Sequence, residues 1–313
     1  MMTANQLRDK LSRSPAKEEF QEIMTEKINK AILRIKHAYE IARQMGNELV
    51  LAYSGGKDSD LLLDLAIKSG VPFTVQHNHT TVDAPETVYH IRNVFKRLEA
   101  QDIQTKINYP PMLETADGKQ TRATMWNLIP KKKIPPTRLV RYCCEYFKER
   151  HFDNQHILLG VRWAESNRRK KTRGLHETIG KPKKDKITYL DENDASHKLI
   201  DICHSRARIA TNPIIDWTDA DVWCYIKAHG LIVNPLYSLG FKRVGCIGCP
   251  MAGKKGRDFE FQMYPKYRAA YIRTFEKMVD HRSSLGKDAS GNWRNGETVM
   301  DWWMERVPPN ATN

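Results

Sequence analysis

The sequence predicts an α/β fold, a doubly wound and mostly parallel sheet with helices on both faces, from three features. Short apolar runs that read as buried strands recur at Glu48–Tyr53, Phe73–Gln76 and His156–Val161. Segments with helical spacing of apolar residues separate them. A glycine turn follows the first run directly and opens an apolar helix. Strands alternating with helices imply parallel pairing, because each crossover has to cover one face of the sheet. In such sheets ligands sit at the carboxyl ends of the strands.

Taken in order, Phe20, Ile23, Ile28, Ile32, Ile35 and Ile41 predict an N-terminal helix over 17–45, with Gly46 as its stop. After the first strand comes a helix over Ser59–Lys68, ended by Gly70. Glu86–Ala100 reads as helix and Ile103–Ile107 as a third strand. Tyr109–Pro136, rich in Pro, Lys and polar residues, is expected to be an irregular connection or mobile flap. Leu139–His151 reads as helix and Ile214–Gly230 as a turn and helix. From about Leu236 a glycine and cysteine loop leads to a helical pattern over Tyr264–Asp280 and then to Trp293–Trp303. These shifts divide the chain into an N-terminal helical segment (1–46), a nucleotide-binding α/β domain (47–235) and a C-terminal cysteine loop with helices (236–313). No internal repeat or low-complexity tract is evident.

A hydrophobic content of 40% and a charged content of 28% exclude disordered and membrane classes. No run reaches membrane-spanning length, and Met1–Lys17 lacks the apolar core of a secretory signal. A cytoplasmic location without membrane association is therefore expected. The net charge of +14 favours phosphate-bearing or polyanionic partners. Lys131–Lys133, Arg168–Arg173 and Lys181–Lys186 are the strongest basic runs; a solvated surface would account for them equally well.

Ser54-Gly55-Gly56-Lys57-Asp58-Ser59 places two glycines between a strand and a polar helix start. Glycines let the backbone approach an anion, while helix N–H groups and the positive end of the helix dipole stabilise its charge. Lys57 adds a point charge, and the Ser54 and Ser59 hydroxyls can donate hydrogen bonds. The four-residue spacer of a Walker A loop is missing.

Six cysteines in a chain of this size and expected compartment argue against a disulfide framework. Cys203 and Cys224 stand alone and fit core packing. Cys143-Cys144 and Cys246-Ile247-Gly248-Cys249-Pro250 instead offer four thiolates from two segments. Adjacent cysteines fit poorly around one tetrahedral ion, whereas a cubane offers them separate iron corners, so a cluster is preferred. Zinc, or a redox pair at Cys246 and Cys249, stays open.

The Ser54–Ser59 string resembles the PP-loop of the ATP pyrophosphatase superfamily, whose members cut between the α and β phosphates. Three further features are similar to the phosphoadenosine phosphosulfate (PAPS) reductase family over most of residues 48–275. They are Asp83-Ala84-Pro85-Glu86-Thr87, Gly160-Val161-Arg162-x-x-Glu165-Ser166-x-x-Arg169, and the paired cysteines. The resemblance implies an adenine nucleotide alpha hydrolase-like fold. It makes Ser54, Gly55, Gly56, Lys57, Asp58, Ser59 and Gly160 the cradle for phosphate or sulfate, with Lys57, Asp58, Arg162 and Arg169 as catalytic candidates. Asp83 and Glu86 are candidates for Mg²⁺ or ribose binding, although helix capping and first-turn charge would explain them too. A surface salt bridge would account for Arg162 or Arg169 taken singly. The resemblance further implies a 4Fe-4S cluster on Cys143, Cys144, Cys246 and Cys249.

One departure bears on the reaction. The reductases attack sulfate with a cysteine in a Glu-Cys-Gly-x-His segment, and residues 250–313 contain no cysteine. This favours ATP as substrate over adenylyl sulfate (APS) or PAPS. The pattern resembles the iron-sulfur ATP pyrophosphatase of bacterial DNA phosphorothioation systems, which works beside a cysteine desulfurase or comparable sulfur donor and on nucleic acid. An APS or PAPS reductase with a borrowed thiol is the alternative. A non-catalytic nucleotide sensor or scaffold in a sulfur-transfer or defence complex is a third.

Overall fold

The structure, a computed structural model, describes residues 15–114, 118–149, 155–179, 188–189, 208–286 and 293–306. The Lys181–Lys186 run and Cys203 lie outside the described residues. In chain order the elements begin with helix α1 (Pro15–Gln44), strand β1 (Glu48–Ala52), α2 (Lys57–Ser69), β2 (Thr74–Asn78), α3 (Pro85–Glu99) and β3 (Thr105–Asn108). A hairpin of β4 (Met112–Glu114) and β5 (Gln120–Arg122) precedes α4 (Met125–Lys132) and the short α5 (Tyr142–Cys144). Then come β6 (Gln155–Leu158), α6 (Asn167–Thr172), β7 (His176–Ile179), β8 (Thr188–Tyr189), β9 (Arg208–Thr211) and α7 (Asp219–Ala228). The chain ends in α8 (Gly253–Met263), α9 (Pro265–Ser283) and α10 (Gly296–Trp303).

Seven strands form one sheet in the order β3-β2-β1-β6-β9-β7-β8. The β1–β2, β1–β6 and β6–β9 pairs are parallel, and β7 runs antiparallel to both β9 and β8. The register places Leu51 opposite Val75 on one side and Leu158 on the other. Strand order reverses at β1, whose neighbours β2 and β6 follow it on opposite sides; that reversal is where doubly wound sheets bind ligands. No helix among the described residues is long and apolar enough to cross a membrane.

The chain divides into two compact units. The first comprises Met1–Gln76, Lys96–Thr105 and Phe152–Val233, and the second His77–Phe95, Lys106–His151 and Asn234–Asn313. In the first, Ala31, Ile35, Ala38 and Ala42 of α1 recur at helical spacing, are all buried, and lie on the helix that packs on β1, β6 and β9. Arg34, also buried, donates to the Pro213 carbonyl at 2.8 Å and to both carboxylate oxygens of Asp216 at 2.9 and 3.0 Å. In the second unit, α9 packs against α4 and α10. Its core combines aliphatic side chains with an aromatic cluster, in which Tyr271 meets Trp126 at 5.0 Å and Trp303 at 4.9 Å between ring centroids.

Two expectations are corrected. The described part of Tyr109–Pro136 holds the β4–β5 hairpin and α4, because Leu113, Ala123, Met125, Leu128 and Ile129 supply a buried face that the polar composition conceals. The described part of Leu139–His151 is not one helix: α5 covers three residues and gives way to a π-helical turn over Glu145–Glu149. Helix α8, inside the stretch read as a glycine and cysteine loop, is additional.

Candidate functional site

In the first unit, β1 runs into the loop at Ser54–Gly56. Gly55 takes φ +72°, a left-handed conformation that a side chain disfavours, and Gly56 is the extended N-cap of α2. The loop closes on one hydroxyl. Ser59 Oγ donates to the Gly56 carbonyl at 2.7 Å and accepts from Gly56 N–H at 3.1 Å and from Ser54 Oγ at 3.3 Å. Ser59, expected to donate to a ligand, is engaged in holding the turn. Gly160 lies against it: a Cβ there would stand 3.1 Å from the Asp58 carbonyl oxygen.

Lys57 and Arg162 are 6% and 2% exposed. Buried cations are tolerated only when paired. Lys57 Nζ lies 3.1 Å from Asp58 Oδ2 and 2.9 Å from Asp219 Oδ1. Arg162 donates through Nε to Asp58 Oδ1 at 2.7 Å, through Nη2 to Asp219 Oδ1 at 3.0 Å and through Nη1 to the Trp217 carbonyl at 3.3 Å. Burial works against ionisation of Asp219, but the hydrogen bonds and charges of Lys57 and Arg162 prevail and hold its carboxyl below the usual range. The arrangement presents two cations beside a helix N-terminus, suited to charge on a phosphate or sulfate.

Asp219 was not singled out from sequence. It is the first residue of α7 behind Thr218, whose hydroxyl accepts from Asp221 N–H, so it reads there as ordinary first-turn charge. Arg169, by contrast, does not join the Lys57–Arg162 group. It sits on α6 and pairs with Glu165, whose carboxylate also accepts from Arg162 N–H at 3.0 Å.

The second unit holds Asp83, Glu86 and the cysteines. Asp83 Oδ2 accepts from Thr80 N–H at 3.1 Å, and Glu86, in the first turn of α3, accepts from the Tyr264 hydroxyl at 2.6 Å. A pocket of about 230 Å³ opens beside Asp83, lined also by His79, Tyr89, Arg92 and Tyr267. Asp83 bridges to Cys246 by backbone pairing, and Ile247 N–H donates to the Val82 carbonyl at 2.8 Å, which fixes the Cys246–Cys249 loop against the start of α3.

Cys143, Cys144, Cys246 and Cys249 are all free thiols and half-buried. Cys143 donates to Cys144; that bond, with burial and the charges of the other three cysteines, pushes Cys143 up. The same bond lowers Cys144 to about 5 against the opposing effect of burial, helped by Lys148 and by Arg141, whose Nη2 donates to the sulfur at 3.2 Å. Burial raises Cys246 to about 11. Among the described residues no three His, Cys, Asp or Glu side chains converge tightly enough, as they stand, to hold one metal ion. The four thiols nonetheless share one electrostatic neighbourhood with Arg141 and Lys148, a soft donor set whose negative charge is partly offset, and in its chemistry it fits an iron-sulfur cluster. Cys224, on α7, stands apart.

The family model for the phosphoadenosine phosphosulfate reductase domain matches residues 48–252, from the first residue of β1 to just beyond Cys249. The chain belongs to the PAPS reductase family. Within this family, it is 24% identical over 219 residues to an adenosine 5'-phosphosulfate reductase of Staphylococcus saprophyticus, covering 70% of this chain and 76% of that protein. It is 27% identical over 298 residues to an uncharacterized protein of Methanocaldococcus jannaschii, covering 91% of this chain. The chain spans 58% of that protein's length and 48% of a second one from the same organism. Among solved structures, PAPS reductase from Candida auris aligns with a TM-score of 0.41 at 18% identity, covering 67% of this chain and 87% of that one. Helix α1 precedes the part matched by the PAPS reductase model, and α8, α9 and α10 follow it.

Proposed function

We propose that this PAPS reductase family member cleaves ATP between the α and β phosphates and so activates a target for sulfur incorporation. The observation that carries this reading is the pair of buried cations, Lys57 and Arg162, set at a glycine turn where the order of the parallel strands reverses. An acceptor oxygen attacks the α-phosphorus, the bond to the α–β bridging oxygen breaks, and pyrophosphate departs with that electron pair. Amides of the Ser54–Ser59 loop bind the departing phosphates, and Lys57 and Arg162 offset the charge that grows on them. Asp58 orients both cations through its two oxygens. Bound Mg²⁺ would neutralise phosphate charge, and Asp83 and Glu86 are the candidates for metal or ribose contact.

Nucleic acid is the proposed target. The net charge of +14 and the exposed Arg168, Lys170 and Lys171 of α6 favour a polyanion. Cys143, Cys144, Cys246 and Cys249 would hold a 4Fe-4S cluster, a fixed charge centre with a structural role. A desulfurase or other sulfur carrier would complete the system. The relatives named as adenosine 5'-phosphosulfate reductases favour a second reading, reduction of APS or PAPS to sulfite with a thiol supplied by a partner. Incubation with ATP and nucleic acid, or with APS or PAPS and a thiol, separates the two. Pyrophosphate from the first mixture supports the proposal; sulfite from the second, without pyrophosphate from the first, overturns it.

A further inference from the structure

From the four charged groups around the phosphate loop we infer that Asp219 is a built-in counterion, occupying the anion position between Lys57 and Arg162 until a multiply charged phosphate ligand displaces it. This rests on the reading of Ser54–Ser59 as a phosphate site and concerns how that site is regulated and what it selects.

The two carboxylates on the cation pair are not equivalent. Asp58 belongs to the first turn of α2, its backbone packed against Gly160, and its side chain is 23% exposed; each of its oxygens lies near Lys57 Nζ, and one also takes the Arg162 Nε–H. Asp219 reaches the same cations with a single oxygen, Oδ1, and its side chain is 63% exposed. An exposed carboxylate re-enters water at little desolvation cost, whereas Asp58, less exposed and engaged through both of its oxygens, would give up more contacts on leaving. Asp219 is therefore the exchangeable partner.

Its departure needs no backbone movement. Asp221 accepts from Thr218 N–H at 2.7 Å and from Lys27 of α1 at 2.5 Å, while Arg34 binds Pro213 and Asp216. The segment Pro213–Asp221 is thus pinned on both sides of Asp219, and a side-chain rotation suffices to clear the site. Two cations facing two carboxylates are already neutral, so a monoanion gains little by replacing Asp219. A pyrophosphate group brings several charges and gains Lys57, Arg162 and the loop amides together. Asp219 thereby discriminates in favour of polyphosphates.

The test is titration calorimetry of the full chain with metal-free inorganic pyrophosphate, with inorganic sulfate, and with ATP with and without Mg²⁺. Wild type is compared with Asp219→Asn and Asp219→Ala, after thermal melts have shown that the variants fold. Removing the carboxylate is expected to tighten metal-free pyrophosphate roughly tenfold, the worth of about one charge-assisted hydrogen bond, and to bring sulfate binding into range. If wild type binds pyrophosphate and ATP but both variants bind them equally or more weakly, the counterion role is overturned while the phosphate site stands. Weakening confined to Mg²⁺-ATP would make Asp219 a metal ligand instead. If wild type binds neither pyrophosphate nor ATP, the phosphate-site reading itself fails and the inference falls with it.

Discussion

At Gly248 a conformational demand and a steric one coincide. The residue takes φ +75°, and a Cβ built on it would lie 2.6 Å from Phe261 Cζ, 3.1 Å from Tyr271 Cε2 and 3.2 Å from Trp303 Cη2. Its N–H donates to the buried Glu260 carboxylate at 2.7 Å. Burial raises the Glu260 carboxyl to about 7, against the opposing effects of this backbone bond and of Arg243 and Arg257. Gly248→Ala is expected to cost roughly 2 kcal/mol or more, combining left-handed backbone strain with overpacking, as read by chemical denaturation. The same substitution should disturb the placement of Cys246 and Cys249 and reduce bound iron; unchanged stability and iron content would show the loop to be loosely held. Lys57→Ala should lower nucleotide turnover on the order of a hundredfold or more without loss of fold, measured as pyrophosphate release beside a circular dichroism spectrum. For the proposed cluster, anaerobically purified protein should be brown, with broad visible absorption that Cys249→Ser abolishes; a colourless, zinc-loaded preparation would contradict it.

His156 supplies a pH dependence at the same scale. It is fully buried on β6, with Nε2 2.6 Å from Thr211 Oγ1, and Thr211 also meets His176 Nδ1 at 2.8 Å. Burial, then the charges of His176 and His37, lowers its pKa from 6.5 to about 3. The folded chain therefore holds fewer protons than the unfolded chain between those two values. The contribution is fully present above pH 6.5 and is lost as pH falls toward 3, by roughly 1.4 kcal/mol per unit at its steepest. Denaturation midpoints at pH 7 and pH 5 should separate more for wild type than for His156→Gln. Equal separations would show that His156 titrates normally.

At the scale of elements, α1 acts as a strap on the site. Arg34 and Lys27 hold the segment that carries Trp217 and Asp219, both partners of Arg162. Arg34→Ala removes a buried guanidinium bound to a carbonyl and a carboxylate, and should cost about 3 kcal/mol of stability. If the strap also sets the geometry of Arg162, KM for nucleotide should rise with kcat little changed, and Arg34→Lys should restore part of it. A loss of stability with KM unmoved would limit α1 to a structural role. The elements also show what could be read from sequence. β1, α2 and α3 were legible because apolar runs, glycines and helical spacing coincide there, and Gly46 and Gly70 take the positive φ expected of helix stops. β4, β5 and α4 were hidden because Pro130 lies inside α4 and lysines crowd its last turn, while the buried face rests on Leu128 and Ile129. β7 carries His176, Glu177 and Thr178, polar residues that are nonetheless buried, so no apolar run marks it. Asp219 was invisible for a related reason: its partners lie 162 and 57 positions away, and only the fold brings them together.

At the scale of the molecule, the two compact units are built from interleaved stretches of chain, and the phosphate loop and the cysteines belong to different units. The surplus of positive charge belongs to the whole. Replacing Arg168, Lys170 and Lys171 by alanine should weaken nucleic-acid binding across sequences and flatten its salt dependence by up to three charges; an unaltered salt slope would place the polyanion elsewhere. The central claim is that the glycine turn after β1 receives the phosphates of an adenine nucleotide. It is tested most directly by a crystal structure of the protein with an ATP analogue that resists cleavage between the α and β phosphates. The expected result is phosphate density against the amides of Gly55 to Asp58, with Lys57 and Arg162 turned onto it. Nucleotide bound elsewhere, with the Lys57–Asp219 contact intact, would contradict the account.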